Sequence, residues 1–174
     1  MALVYSLQPT QYRDVNVFLD LFCTNLQAVL ADQLAAFYLG GSLALGDFNP
    51  QHSDIDFAVI TREELPPDIV AALEQMHARL WATGTRWARK LDGSYVPQQV
   101  IRHWAPDSAP GPFVEAAESC VTQQGSAVIQ RHILCKHGVV VVGPKPHTLI
   151  DPVGALELRG AQAGAAGVHA WCDD

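Results

Sequence analysis

Two aspartates one residue apart, followed at once by an apolar run, are the feature that most restricts how this chain can fold. The segment reads Asp54-Ile55-Asp56 and continues with Phe-Ala-Val-Ile to position 60. Because side chains two apart on a strand share one face, Asp54 and Asp56 are expected to project together from a buried strand over 54–60. Two adjacent carboxylates repel each other unless a cation lies between them. The segment therefore predicts a strand that begins at a site for positive charge.

A glycine-rich turn lies upstream of this strand. Residues 40–42 (Gly-Gly-Ser) follow an apolar run over 35–39 and precede a short helical segment that ends at residue 45. Glycine lets the backbone approach a ligand closely, and a helix N-terminus directs N–H groups toward phosphate. Mg²⁺ binds a few carboxylates together with water and substrate phosphates. The turn and the aspartate pair together predict a triphosphate site at Gly41 and Ser42 beside a metal site.

A third carboxylate on a neighbouring strand would complete such a site. Asp92 lies in a predicted strand over 90–96, where it would bind metal or take a proton from an acceptor hydroxyl. A simpler interpretation of each residue stays open. In these interpretations Asp92 is an ordinary exposed acid, Ser42 is only a helix N-cap and Ser53 is only a turn residue. The aspartate pair alone is a common motif, but the glycine–serine turn before it strengthens the prediction of a metal site.

The order of predicted elements is typical of an α/β domain. Periodic apolar positions indicate the helices, and short apolar runs bounded by glycine or proline indicate the strands. Thr10 is the predicted N-cap of the first helix. Alternating helices and strands predict a mixed sheet flanked by helices. The predicted helices cover 11–33, about 66–81 and 126–136, and the predicted strands cover 35–39, 54–60, 90–96 and 139–142.

Composition narrows the classes of function. Hydrophobic residues make up 49% of the 174 residues, which is enough for a sizeable core, and the net charge is −7. That charge argues against binding nucleic acid through a basic surface. The four cysteines form no CxxC pair, so no structural zinc site is expected. Neither a signal peptide nor a membrane span is evident, so the predicted location is the cytoplasm, with free thiols.

The motifs resemble those of a known family. Gly41-Ser42, eleven residues and then Asp54-Ile55-Asp56 is similar to the signature of the nucleotidyltransferase superfamily, whose core is that of DNA polymerase β. With His52-Ser53 before the aspartates, the run resembles the aminoglycoside adenylyltransferases of the streptomycin and spectinomycin type. Leu91-Asp92 matches the third carboxylate of that family, although the family more often has Glu there. The segment 136–153 resembles the end of the family's N-terminal domain.

The resemblance implies an activity and a role for each residue. A Mg²⁺-dependent enzyme would transfer AMP from ATP to a hydroxyl of a small molecule, for example an aminoglycoside antibiotic, and release pyrophosphate. Gly41, Ser42 and Ser53 would bind the triphosphate, and Asp92 would act as the base. Two Mg²⁺ ions would be held by Asp54, Asp56 and Asp92.

Other interpretations remain open at this point. A minimal nucleotidyltransferase of the antitoxin type would modify a partner protein instead, and an interaction module could keep the fold without the chemistry. The antibiotic enzymes carry a second, helical domain that supplies part of the ATP and drug sites. Residues 1–153 are therefore predicted to form the nucleotidyltransferase domain. The Ala- and Gly-rich tail over 154–174 leaves three interpretations open: a single-domain relative, the start of a truncated helical domain, or a tail shifted in reading frame.

Overall fold

The computed structural model describes residue 6 and residues 8–103, 112–115, 118–121 and 124–159. Within these residues, six strands form one mixed sheet: β1 (Leu34–Leu39), β2 (Ile55–Thr61), β3 (Leu91–Pro97), β4 (Pro112–Glu115), β5 (Glu118–Val121) and β6 (Val139–Val142). Their order across the sheet is β5-β4-β3-β2-β1-β6. Strands β2 and β3 are parallel, and the other neighbouring pairs are antiparallel. The predicted α/β class with a mixed sheet is confirmed.

Helices cover both sides of this sheet. They are α1 (Arg13–Leu30), α2 (Gly41–Leu45), α3 (Pro67–Ala82), α4 (Gln98–Arg102) and α5 (Gln124–His137). The prediction that Thr10 caps α1 is wrong, because the helix begins at Arg13 and has no side-chain cap. The Thr10 hydroxyl instead accepts a hydrogen bond from the Tyr12 N–H at 3.1 Å and donates one to Asn16 Oδ1 at 2.8 Å. It closes the turn before the helix.

The alternation of side chains along β2 divides the core in two. Ile55, Phe57 and Val59 belong to a larger cluster with apolar residues of α1 and α3. Ala58 and Ile60 belong to a smaller cluster on the other face, with Leu134 of α5 among its members. The sheet is therefore buried on both faces, which matches the near-continuous apolar sequence of its central strands.

Three elements were not predicted from the sequence. Strands β4 and β5 have four residues each and α4 has five, and such short segments show too few repeats of an apolar pattern to stand out. Asp54 was expected inside β2 but lies just before its first residue. No helix in the described ranges is long and apolar enough to cross a membrane. Of the predicted tail, residues 160–174 lie outside the part of the chain that the structure describes.

Candidate active site

Strands β2 and β3 place two carboxylates side by side. In the parallel register Asp56 pairs with Asp92, and both residues are half-buried. Directly paired residues on neighbouring strands share a face of the sheet, and the strands are about 4.8 Å apart. The sequence prediction that Asp92 would join Asp56 from a neighbouring strand thus agrees with the register. The two acids together form one half of the candidate site.

The carboxylate of Asp56 lies in a partly desolvated position. Burial raises its pKa above the ordinary value, and the negative charge of Asp54 raises it further. Its own backbone N–H and that of Ser42 hydrogen-bond the carboxylate and lower the pKa, but they do not offset the first two effects. Since both dominant effects disfavour the charged form, a cation at this position would stabilise the carboxylate.

The turn before α2 packs directly against Asp56. Gly40 donates its N–H to the Asp56 carbonyl at 2.9 Å. Gly41 has a φ of +47°, and a Cβ built there would overlap the Asp56 carboxylate. Glycine is therefore required at position 41 both by the backbone angle and by the space. Within the described ranges, the Ser42 hydroxyl makes no hydrogen bond, while its backbone N–H bonds to the Asp56 carboxylate.

Asp54 lies at the exposed end of the site and pairs with a lysine that the sequence analysis missed. Lys90 Nζ is 3.3 Å from Asp54 Oδ1. It also donates to the carbonyls of His52 at 3.1 Å and Ser53 at 3.0 Å. The register of β2 and β3 predicts this ion pair. Ile55 pairs with Leu91, so the residues just before them, Asp54 and Lys90, are also neighbours.

The loop over 46–53 is fixed on the protein by an aromatic side chain. Phe48 is 7% exposed and packs between Tyr12, at a ring-centroid distance of 4.8 Å, and Trp87, at 5.7 Å. The Tyr12 hydroxyl also donates to the Phe48 carbonyl at 3.0 Å. Arg86 donates to a further loop carbonyl, that of Pro50. These contacts hold the segment that leads into Asp54.

Ser53 has a local structural role in this loop. Its hydroxyl oxygen accepts a hydrogen bond from the Asn49 N–H at 2.9 Å. The Ser53 N–H in turn donates to the Asn49 carbonyl at 2.8 Å. Ser53 therefore closes a turn, as one of the two interpretations of the sequence held. A contact with triphosphate remains a prediction for this residue.

A pocket opens beside Asp56 on the α5 side of the sheet. It has a volume of about 140 Å³ and a mainly apolar lining. The carboxylate and the glycine turn form its polar end, and α5 supplies the aliphatic wall. The pocket is lined by Gly40, Gly41, Asp56, Phe57, Gln130, Ile133 and Leu134.

Residues 20–85 match the family model of the nucleotidyltransferase domain. This segment of the chain is therefore similar to a nucleotidyltransferase domain. The matched range includes the glycine–serine turn, Ser53, Asp54 and Asp56, while Asp92 lies beyond it. The resemblance that the motifs suggested is thereby confirmed, and the fold is that of the polymerase β-like nucleotidyltransferases.

Comparison with solved structures supports the fold through one of them, which has a TM-score above 0.5. Spectinomycin adenyltransferase AAD(9) from Enterococcus faecialis, with ATP and spectinomycin, is similar with a TM-score of 0.63 and 16% identity, over 90% of this chain and 68% of that one. A mutant of the toxin–antitoxin MntA-HpeT has a TM-score of 0.38 and 12% identity, over 87% and 88% of the two chains. A toxin–antitoxin with AMP-PNP has a TM-score of 0.36 and 16% identity, over 84% and 89%. Among curated proteins, none matches the sequence.

The chemistry of the candidate ligands suits Mg²⁺. Asp54, Asp56 and Asp92 lie at the start of β2 and the start of β3, and carboxylate oxygens are ligands that Mg²⁺ prefers. As the side chains lie, no three His, Cys, Asp or Glu groups of the described residues are close enough to hold one ion. Asp54 is paired with Lys90 instead. Asp56 and Asp92 are thus brought together, while Asp54 would have to leave its lysine to join them.

Proposed function

We propose that this chain transfers AMP from ATP to a hydroxyl group of a small molecule, with two Mg²⁺ ions bound by Asp54, Asp56 and Asp92. The observation that carries the proposal is the pairing of Asp56 with Asp92 next to a glycine–serine turn, within a nucleotidyltransferase domain. When bound, the ions neutralise charge on the phosphates and favour departure of pyrophosphate. The raised pKa of Asp56 supports the placement of a cation beside it.

The chain's own residues supply position and a proton acceptor. In the proposed reaction the acceptor oxygen forms a bond to the α-phosphorus, and the bond from that phosphorus to the pyrophosphate oxygen breaks. Asp92 accepts the proton that the hydroxyl loses. The Ser42 hydroxyl donates to a phosphate oxygen, and Gly41 allows the turn to lie against Asp56. Ser53 contributes by shaping the loop and, as proposed, by a contact to triphosphate.

The acceptor class is proposed from charge and from one solved structure. A net charge of −7 attracts a polycationic molecule such as an aminoglycoside. The similar solved structure of AAD(9) contains ATP and spectinomycin, which makes these two compounds the first pair to test. A partner protein as the acceptor is the alternative outcome of the same test.

Mass spectrometry of acceptors incubated with the protein, ATP and Mg²⁺ tests the proposal. We expect one aminoglycoside or aminocyclitol to gain the mass of one AMP, and we expect Asp54→Asn to abolish the gain. The matched control is Asp47→Asn, because Asp47 is an exposed loop acid outside the proposed metal site. Labelling of a co-expressed protein instead would show that the small-molecule assignment is wrong. Absence of any AMP-labelled product, with pyrophosphate release also absent, would refute nucleotidyl transfer.

A further inference from the structure

Lys90 is enclosed by acceptors from the loop that leads into Asp54. Its ammonium lies 3.0 Å from the Ser53 carbonyl oxygen, 3.1 Å from that of His52 and 3.3 Å from Asp54 Oδ1. These three acceptors equal the three hydrogens of an ammonium group. The Lys90 side chain is 23% exposed, whereas that of Asp54 is 57% exposed. The lysine is therefore the sheltered and fully bonded partner of the pair.

We propose that Lys90 is a resident cation that pairs with Asp54 before a divalent ion arrives, and that it competes with that ion for the carboxylate. The inference rests on the proposed function, since it takes Asp54 to be a metal ligand. It makes Lys90 a positioning residue, because its contacts are with the loop and with Asp54.

The balance of charge at the site supports this competition. The negative charges of Asp54 and Asp56 act on each other, and the lysine supplies one positive charge in response. An incoming divalent ion brings two positive charges close to the ammonium and is repelled by it. A half-exposed ion pair is weak, so the ion can displace the ammonium from the carboxylate. The two carbonyl contacts remain and keep the loop attached to Lys90.

Binding of Mn²⁺ to the nucleotide-free protein separates this role from a purely structural one. We expect Lys90→Met to bind Mn²⁺ roughly tenfold more tightly than the wild type, because the competing charge is removed. Lys90→Arg keeps the charge and is expected to bind Mn²⁺ as the wild type does. Lys90→Gln loses the charge but keeps N–H donors for the loop carbonyls, so it should also bind more tightly. A structural role alone predicts equal or weaker binding in each variant.

The matched control removes a charge from the same turn. Arg89 neighbours Lys90 in the 3₁₀ turn Arg86–Lys90, but its guanidinium lies over the Trp81 ring, 5.2 Å from the centroid. Arg89→Met should therefore change Mn²⁺ affinity much less than the Lys90 variants do, because the Arg89 charge lies over Trp81 and makes no ion pair with Asp54.

The readout is electron paramagnetic resonance of free Mn²⁺, with thermal unfolding measured to confirm that each variant folds. Tighter binding in Lys90→Gln and Lys90→Met, and not in Arg89→Met, supports the inference. Equal or weaker binding in the folded Lys90 variants overturns it. Asp54→Asn separates a failure of the proposed metal site from a failure of the inference about Lys90. If Asp54→Asn binds Mn²⁺ as the wild type does, Asp54 is not a metal ligand, and the inference about Lys90 is wrong with it.

Discussion

Asp56 and Asp92 pair directly across the parallel strands β2 and β3, although the whole of α3 separates them along the chain. This is the only parallel pairing among the described strands. Parallel strands require a crossover connection, and α3 provides it. The same end of both strands therefore carries acidic residues, and the glycine–serine turn after β1 packs against one of them.

Substitution of Gly41 tests whether the turn must lie against Asp56. Gly41→Ala places a Cβ where the Asp56 carboxylate lies and also strains a backbone with a φ of +47°. We expect loss of AMP transfer together with destabilisation of more than about 1 kcal/mol. Transfer assays and denaturant unfolding measure the two effects.

The control for that substitution is Gly46→Ala. Gly46 has a φ of +84°, but a Cβ there would meet nothing within 4 Å. It should cost about 1 kcal/mol of stability and leave transfer intact. Equal activity in Gly41→Ala and Gly46→Ala would contradict the packing role of Gly41.

The anchor of the loop can be tested at Phe48. Phe48→Ala removes a buried ring from between Tyr12 and Trp87, and we expect the free energy of unfolding to fall by about 3 kcal/mol. Urea denaturation followed by tryptophan fluorescence measures the change. Leu45→Ala is the control, since Leu45 is 50% exposed and its loss should change stability little. Similar stability in the two variants would argue against anchoring by Phe48.

A buried histidine predicts how stability depends on pH. His77 is 6% exposed and lies 2.6 Å from the Tyr95 hydroxyl, and burial lowers its pKa from 6.5 to about 4. The folded state favours the neutral ring. The contribution of the neutral His77 ring to the free energy of unfolding is therefore fully present above pH 6.5. It is lost as the pH falls toward 4, by up to about 3 kcal/mol.

Chemical denaturation between pH 7 and pH 4 measures this dependence. His77→Gln removes the titrating ring and keeps a hydrogen-bonding side chain for Tyr95, so its stability should fall less over this range. His147→Gln changes an exposed histidine and should retain the wild-type pH dependence. A His77→Gln profile as steep as that of the wild type would contradict the prediction.

Much of the site's framework was predictable from local sequence. The apolar run after Asp56 predicted a buried strand, and the glycine–serine turn was predicted to lie between a strand and a short helical segment. Placing Asp92 beside Asp56 required only that two predicted strands be neighbours. These features depend on short-range patterns, which a single sequence shows directly.

The features that were missed depend on contacts distant in sequence. Lys90 can be recognised as the partner of Asp54 only from the pairing of β3 with β2, which brings the two residues together. The Ser42 N–H was expected to be directed at phosphate, but it also hydrogen-bonds the Asp56 carboxylate, which only the folded turn reveals. Thr10 was assigned as a cap from residue type alone, while its neighbours Tyr12 and Asn16 determined its partners.

The most direct measurement is the transfer of label from ATP labelled at the α-phosphate to the acceptor that mass spectrometry identifies. Asp56→Asn and Asp92→Asn are compared with the wild type and with Asp47→Asn. We predict that each of the first two lowers the rate by roughly 10² to 10⁴ while the protein stays folded, and that Asp47→Asn has little effect. Wild-type transfer by folded Asp56→Asn or Asp92→Asn would contradict the assignment of this carboxylate pair as the catalytic centre.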